Sequence, residues 1–425
     1  MNIFNKLKNK YINNSFWMLF EQGIKMFSGV FVAIFIARHF GPTYFGVLNY
    51  IIAFVAVFIP FTQLGMSLIL VRELVESPKQ RKEILSTAFY LIFVFSILII
   101  IILNTLNFLF NKGGEIKYFI TLYSFGLIFK CFDIIDYNFQ SQLKAKSSSQ
   151  AKSISVLLSS FLKLIIIYLD APFKYLIYTF FLDLVFLALF LIIYHWQKKQ
   201  SNFLFGFKLS MAKKLLKSSW PIVLSTLSVI LYMKTDQLMI QYFLGDKALG
   251  LYSSAVRLYD GYTAIIFTLT ISILPLVLKF KNSSNEEYQN LFIKFFRYLF
   301  WGSNLVALIV MIFSTSIIEL LYGKEFVGAE KVLSIVFWTT SFAAIGSLTS
   351  RYLIVEKMEK KIFFRTFIAL CFNVIMNIFF IPKFGIEGAA SATLISLIIG
   401  NYAIDFLDKD LELLRRMKTK AIFLS

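Results

Sequence analysis

Apolar residues in this chain run in long blocks instead of alternating with charge as they do on the face of a soluble helix. A hydrocarbon core about 30 Å thick takes roughly 20 helical residues to cross. On that scale the blocks fall at 15–37, 47–70, 85–108, 117–138, 154–169, 174–194, 219–244, 251–278, 295–318, 332–355, 363–381 and 385–406. The fifth, ISVLLSSFLKLIIIYL, is the shortest. The pattern predicts an all-α integral membrane protein of about twelve transmembrane helices. Pro60 in the second block and Pro275 late in the eighth interrupt helical hydrogen bonding and predict kinks there. Lys6, Lys8 and Lys10 precede an apolar stretch too long for a secretory h-region, with no small-x-small site after it. The expectation is a retained first helix.

Composition removes the soluble alternative. Hydrophobic residues make up 58% of the chain and charged residues 16%, with a mean hydropathy of +0.73. A soluble domain carries roughly 25% charged residues, so this chain lacks the polar surface it would need. The two cysteines, Cys131 and Cys371, sit singly in apolar stretches and form neither a disulfide framework nor a metal-ligand spacing. His39 and His195 stand alone at helix ends and read as interfacial residues.

Charge supplies orientation. With the termini and alternate connections assigned to the cytoplasm, those segments hold 29 Lys+Arg and the opposite set holds 8. The eight are Arg38, Lys112, Lys117, Lys174, Lys247, Lys324, Lys331 and Lys383. The positive-inside rule predicts this bias, and with it a bacterial inner (cytoplasmic) membrane protein with both termini cytoplasmic. The bias also accounts for the net charge of +19 without a nucleic-acid partner. Runs such as Lys213, Lys214 and Lys217 read as topology and lipid-headgroup signals. The longest connection, 195–218, is too short for a second domain. No G-x-x-x-x-G-K-[ST] loop is present, which argues against pumping by ATP hydrolysis.

The chain also repeats itself. IARHFGPTYFGVLNYI around Gly41 and IQYFLGDKALGLYSSA around Gly245 align without gaps at an offset of 204, sharing both glycines of a G-x4-G. Each pair lies in the short turn linking the first two helices of a half, where glycine permits positive φ. The predicted organisation is an N-terminal six-helix lobe over 1–200, a cytoplasmic linker over 201–218 and a C-terminal six-helix lobe over 219–425. Such parallel repeats pack about an axis normal to the membrane.

Five stretches together carry a family resemblance: ARHFGPTYFGVLNYI (37–51), GMSLILVREL (65–74), WPIVLSTLSVILYMKTDQLMIQYFLGDKALGLYSSAVRLYD (220–260), LYGKEFVGAEKVLSI (321–335) and IPKFGIEGAASATLIS (381–396). In this order they resemble the polysaccharide-transporter family, the Wzx-type O-antigen flippases of the MOP superfamily. The resemblance implies two six-helix lobes around a central cavity, working by alternating access. It implies as cargo an undecaprenyl-diphosphate-linked oligosaccharide, a repeat unit of O-antigen, capsule or exopolysaccharide, moved from the cytoplasmic to the outer leaflet. The polymerase and chain-length machinery of the same pathway are then candidate partners, beside membrane lipid itself.

Six basic residues are left inside the spans: Lys25, Lys130, Lys163, Lys234, Arg257 and Arg351. A charge at mid-bilayer costs at least about 2.5–3.5 kcal/mol, so it must face a cavity or a partner. Lys25, Lys163, Lys234 and Arg257 are the candidate cationic site for the cargo's diphosphate, because Arg forks onto phosphate oxygens and Lys acts as a point charge. Glu21, Asp183, Asp236 and Asp260 are the candidate coupling or counter-charge residues. No cofactor is expected, with H⁺ or Na⁺ coupling left open. Ion pairing between helices is the competing reading for each of these groups. Lys130 and Asp133 are spaced to pair. Arg351, Asp136 and Asp405, near span ends, are expected to snorkel and are left out of the site.

Three functions fit a chain of this kind: a glycan-lipid flippase, a cation-coupled multidrug exporter of the same superfamily, and a membrane glycan polymerase. Deep lysines argue against an exporter of organic cations. Short external connections with few charges argue against the polymerase. A non-enzymatic flippase is the leading expectation, and a peptidoglycan-precursor flippase stays open although that branch usually has two more helices.

Overall fold

The computed structural model describes residues 2–110, 113–200, 202–281 and 284–423; Lys112, expected in an external loop, lies outside them. Among the described residues there are α-helices and short 3₁₀ turns but no strand. Nine helical runs among them are long and apolar enough to cross a membrane. Two of these, Phe16–Glu76 and Glu359–Phe406, are 61 and 48 residues long, about two crossings each at 1.5 Å per residue. Each is broken at a glycine in a non-helical conformation, Gly41 and Gly385. A further helix, Asp246–Ser272, is long enough but carries Asp246, Lys247, Arg257 and Asp260. Counted this way the architecture is the expected one of about twelve crossings.

In chain order the helices are α1 (Asn2–Ala56), α2 (Ile59–Gln63), α3 (Met66–Glu76), α4 (Arg81–Phe110), α5 (Gly114–Phe125), α6 (Asp133–Ser141), α7 (Ala145–Tyr168) and α8 (Phe173–Gln197). Then follow α9 (Leu209–Leu244), α10 (Asp246–Ser272), α11 (Leu274–Lys281), α12 (Asn285–Tyr322), α13 (Ala329–Val355), α14 (Glu359–Asn401) and α15 (Glu412–Ile422). They form two compact units, Met1–Phe35 with Ile51–Leu227 and Ile36–Tyr50 with Ser228–Ser425. The division falls inside α9, and from Leu209 onward the stretch expected as a linker is helix.

In the first unit, Leu70, Leu74, Ile84, Ala88, Ile92, Ile134 and Phe139 meet in a core that includes Cys131 and Leu215. His195, in the last turn of α8, is buried against Phe203. Two crossings here are irregular. The second breaks at residues 57–58, just before Pro60, and again at Leu64 and Gly65, both left-handed. The fourth runs as a 3₁₀ segment over Gly126–Phe132 before α6 begins. Broken helices at membrane depth expose backbone polar groups, and they persist where the backbone is buried in protein or lines a cavity. In the second unit, Tyr288, Phe292, Phe296 and Phe300 recur every four residues along α12 and so share one face. That face packs on Leu348, Tyr352 and Leu353 of α13 and on Leu414, Met417 and Ala421 of α15. The chain breaks between α10 and α11 at Ile273, two residues before Pro275.

The repeated turns both belong to the second unit, and they bind each other. Gly41 (φ 73°, ψ 176°) and Gly245 (φ 83°, ψ −173°) share one conformation, in a region essentially closed to other residues. Their second glycines are in reciprocal contact. A Cβ on Gly46 would lie 1.8 Å from the Asp246 carbonyl oxygen, and one on Gly250 would lie 1.8 Å from that of Pro42. Neither turn tolerates a side chain there, so the sequence repeat is also a structural one.

Candidate functional site

In the first unit the charged residues gather where the irregular crossings meet α1, α6 and α7. Lys152 of α7 places its Nζ 2.6 Å from Asp136 Oδ2 and 3.5 Å from Glu21 Oε2. Ser149, one helical turn earlier, donates to the same Glu21 oxygen at 3.2 Å. Gln140 donates to Asp136 at 2.9 Å, while the other Asp136 oxygen is buried with no hydrogen-bond partner among the described residues. Beside this network Lys130 pairs with Asp133 at 3.5 Å, and Gln63, at the end of α2, donates to Asp133 at 2.7 Å. Gln63 and Asp133 thus join the two irregular backbone segments. Lys25 is within electrostatic reach of Glu21, Lys152, Lys130 and Asp133. It is nevertheless exposed and makes no ion pair among the described residues.

Lys163 and Asp183 form a separate locus in the same unit. The Lys163 ammonium lies 2.7 Å from Asp183 Oδ2, donates to Ser159 at 3.0 Å and stands 4.0 Å from the centre of the Phe180 ring. Ser159 in turn donates to Asp183. Within this arrangement the cation is neutralised locally and saturated with partners.

In the second unit Asp236 is the hub. One of its oxygens accepts from Asn373 at 3.0 Å and Asn377 at 2.6 Å; the other accepts from Tyr252 at 2.6 Å and from the Thr393 hydroxyl. Asp236 is 6% exposed and both asparagines are fully buried. Asn377 Oδ1 is also buried, and no donor reaches it among the described residues. Two amide N–H groups and two hydroxyls thus donate to this carboxylate, and Asn377 Oδ1 is left beside it as an unused acceptor. Among the described residues no cluster of three or more His, Cys, Asp or Glu could hold a metal ion. Lys234, two residues before Asp236 on α9, and Arg257 of α10 share an electrostatic environment with Asp260. Lys234 touches the Gln237 amide oxygen at 3.2 Å. Neither cation makes an ion pair among the described residues.

The structure therefore gathers Glu21 and Lys25 into one cluster and Lys234, Arg257 and Asp260 into another, and it gives Lys163 and Asp183 to each other. Sequence reasoning missed Lys152, which it counted in a cytoplasmic loop. Helix α7 starts at Ala145, earlier than the low hydropathy of AKSSSQAKS suggests. It also missed Asn373 and Asn377, two amides four residues apart in an apolar span, a spacing that puts both on one helical face. Asp136 and Asp405, expected to snorkel, are buried and paired instead. Asp405 is 1% exposed and accepts from Arg365 and from Lys418, whose ammonium is 2.5 Å away.

The family of polysaccharide biosynthesis proteins matches residues 11–281, and the MatE family matches residues 221–379. No curated protein sequence matches. Among solved structures, the lipid II flippase MurJ in an inward closed conformation superposes with a TM-score of 0.70 at 19% identity, covering 97% of this chain and 91% of that one. An inward-facing multidrug resistance MATE transporter of the MOP superfamily gives 0.67 at 15% identity, over 94% and 96% of the two chains. A MOP superfamily transporter from Pyrococcus furiosus gives 0.63 at 15% identity, over 97% and 96%. At these identities the likeness is one of fold, the fold of MOP-superfamily transporters. The match over most of the chain shows more: this protein belongs to the polysaccharide biosynthesis protein family.

Proposed function

We propose that the protein is a flippase that moves an undecaprenyl-diphosphate-linked oligosaccharide, the repeat unit of an O-antigen, capsule or exopolysaccharide, from the cytoplasmic to the outer leaflet. The observation that carries this reading is the surplus of unpaired positive charge at membrane depth. Lys25 in the first unit and Lys234 and Arg257 in the second have no ion-pair partner among the described residues. A cation at membrane depth without a counter-charge is costly, and a diphosphate supplies that charge as it passes. The protein so described is a transporter and carries out no bond-making step of its own. It resides in the inner membrane with both termini cytoplasmic, and polymerase and chain-length proteins receive its product.

Coupling belongs to Asp236 in this reading. A proton or Na⁺ held by Asp236, with Thr393 and the Asn373 and Asn377 amides turned to present oxygen, would fill the environment that leaves Asn377 Oδ1 without a donor. Asp236→Asn is then expected to abolish the dependence of transport on an imposed ion gradient. Transport that still follows the gradient in that variant would remove Asp236 from the coupling role.

The decisive experiment deletes the gene in its host and measures lipid-linked oligosaccharide in each leaflet together with surface glycan. The expected result is accumulation on the cytoplasmic face with loss of the surface polymer. Complete, unpolymerised units outside would indicate a polymerase. Normal glycan with altered drug sensitivity would favour the exporter reading that the MatE match keeps in view.

A further inference from the structure

In the first unit the seam between α4 and α5 opens into a groove of about 640 Å³. Helix α4 ends at Phe110 and α5 starts at Gly114, so one end of the seam lies where the chain turns back at the membrane surface. The other end is apolar, lined by Ile100, Ile101 and Phe125. Ile100 and Phe125 each lie eight residues along their helices from Phe108 and Lys117 at the shallow end, about 12 Å deeper. Leu98, Ile101, Ile102 and Leu109 are exposed along the same stretch of α4. On a membrane-spanning helix such a face is covered by lipid chains.

The shallow end is polar, and its amide and hydroxyl hydrogens are already spent. Asn104 donates to the Ile100 carbonyl at 2.8 Å and to Ser124 at 3.0 Å. Asn107 donates to the Lys117 carbonyl at 2.9 Å and to Thr121 at 3.3 Å. Thr121 donates to Asn104 at 2.6 Å, and Thr105 to the Ile101 carbonyl at 2.9 Å. That leaves the Lys117 ammonium, which itself lines the groove. It stands 4.5 Å from the centre of the Phe108 ring and makes no ion pair among the described residues. No acidic residue lines the groove, and Glu115, two residues before Lys117, lies on a different side of α5. The groove thus offers a cation with free N–H donors at headgroup depth, above an apolar channel. Phosphate oxygens accept such charge-assisted bonds strongly. A zwitterionic headgroup would bring its own cation beside Lys117, and an anionic one would not.

We propose that the α4–α5 groove is a binding site for an anionic phospholipid, its phosphate on Lys117 and one acyl chain against Ile100, Ile101 and Phe125. In the orientation proposed above, that lipid belongs to the outer leaflet. The occupant is a resident of the bilayer, filling a seam that the protein's own side chains leave open, and it does not depend on what the protein transports.

The test titrates the full chain, stripped of lipid in detergent, separately with phosphatidylglycerol and phosphatidylcholine, and counts bound lipid by native mass spectrometry. The wild type is expected to take up one phosphatidylglycerol at a concentration about tenfold below that needed for phosphatidylcholine. Lys117→Gln should erase that difference and Lys117→Arg should keep it. Lys174→Gln is the matched control, because Lys174 also stands over an aromatic ring, that of Tyr175, but lies outside the groove. It should leave the preference intact. Ile101→Trp, at an exposed position lining the groove, should weaken both lipids. A wild type without the preference overturns the proposal, as does a preference that survives in Lys117→Gln. An equal loss in Lys174→Gln would reduce the effect to general surface charge and overturn it too. Unchanged phosphatidylglycerol uptake in Ile101→Trp overturns the groove as the seat. Displacement of phosphatidylglycerol by a lower concentration of undecaprenyl diphosphate would make the groove a cargo site, overturning the resident lipid while the flippase reading stands.

Discussion

At the scale of single residues, the structure separates charges that the sequence could only collect. Lys25 has no ion pair, so Lys25→Ala is expected to abolish transport of lipid-linked oligosaccharide, and Lys25→Arg to retain part of it. Unchanged transport in Lys25→Ala at normal protein levels would make it structural. Lys163 is tied to Asp183, and removing one member of a buried pair strands the other. Lys163→Met should therefore cost up to about 3 kcal/mol of stability, discounted because Asp183 is 32% exposed. Adding Asp183→Asn should restore most of the loss, read as thermal aggregation in detergent. A double variant that is stable yet inactive would return Lys163 to the cargo site. Depth along a span could be read from residue number, which is why Lys25, Lys163 and Lys234 were all recognised as charges deep in their spans. Partnership could not be read, because Lys163 and Asp183, or Asp236 and Asn373, meet only when separate helices pack.

At the scale of elements, hydropathy located the crossings but not their character. Gly41 and Pro42 mark a turn that the sequence announces, and Pro60 announces the break before α2. The 3₁₀ segment over Gly126–Phe132 has no proline, and its apolar residues read as ordinary helix. The terminal helix α15 was legible only as basic residues after the last span, yet it docks through Leu414, Met417 and Ala421 into a core. It also buries Lys418 completely, with the Asn401 carbonyl 2.7 Å from its ammonium. Burial, with Arg365 adding to it against the opposing pull of Asp405, lowers the Lys418 pKa from its ordinary 10.5 to about 7. The undocked chain therefore binds this proton more tightly between those values. Docking of α15 should strengthen as pH rises from about 7, by at most roughly 1.4 kcal/mol per unit. The check is protease cleavage at the C-terminus, expected to slow between pH 7 and 9 in the wild type and to lose that dependence in Lys418→Met. Faster cleavage at higher pH, corrected for the protease, would refute it.

At the scale of the whole molecule, the duplication was visible in the sequence through two glycine pairs at one offset, and the structure gives the reason they match. Gly46 and Gly250 each leave room for the other's turn, so a side chain at either one must push the pair apart. Gly250→Val is expected to abolish transport and to destabilise the second unit, with Gly46→Val doing the same. The measurement is transport per folded molecule together with the melting temperature, and a variant with wild-type values for both would show the contact to be dispensable. What the sequence could not show is that residues 36–50 pack with the C-terminal helices while the remainder of the first half forms a unit of its own. Membership of a unit is a long-range property, and hydropathy is a local one.

That pairing also has a consequence for how the chain is made. The turn at Gly46 leaves the ribosome 204 residues before its counterpart at Gly250. At about 5–20 residues per second, the first turn waits roughly 10–40 s for a partner that has not yet been synthesised. During that time its glycine face is bare, and whatever shields it must release it when α10 arrives. The earliest turn of the chain thus completes its packing only after more than half of the chain has been made.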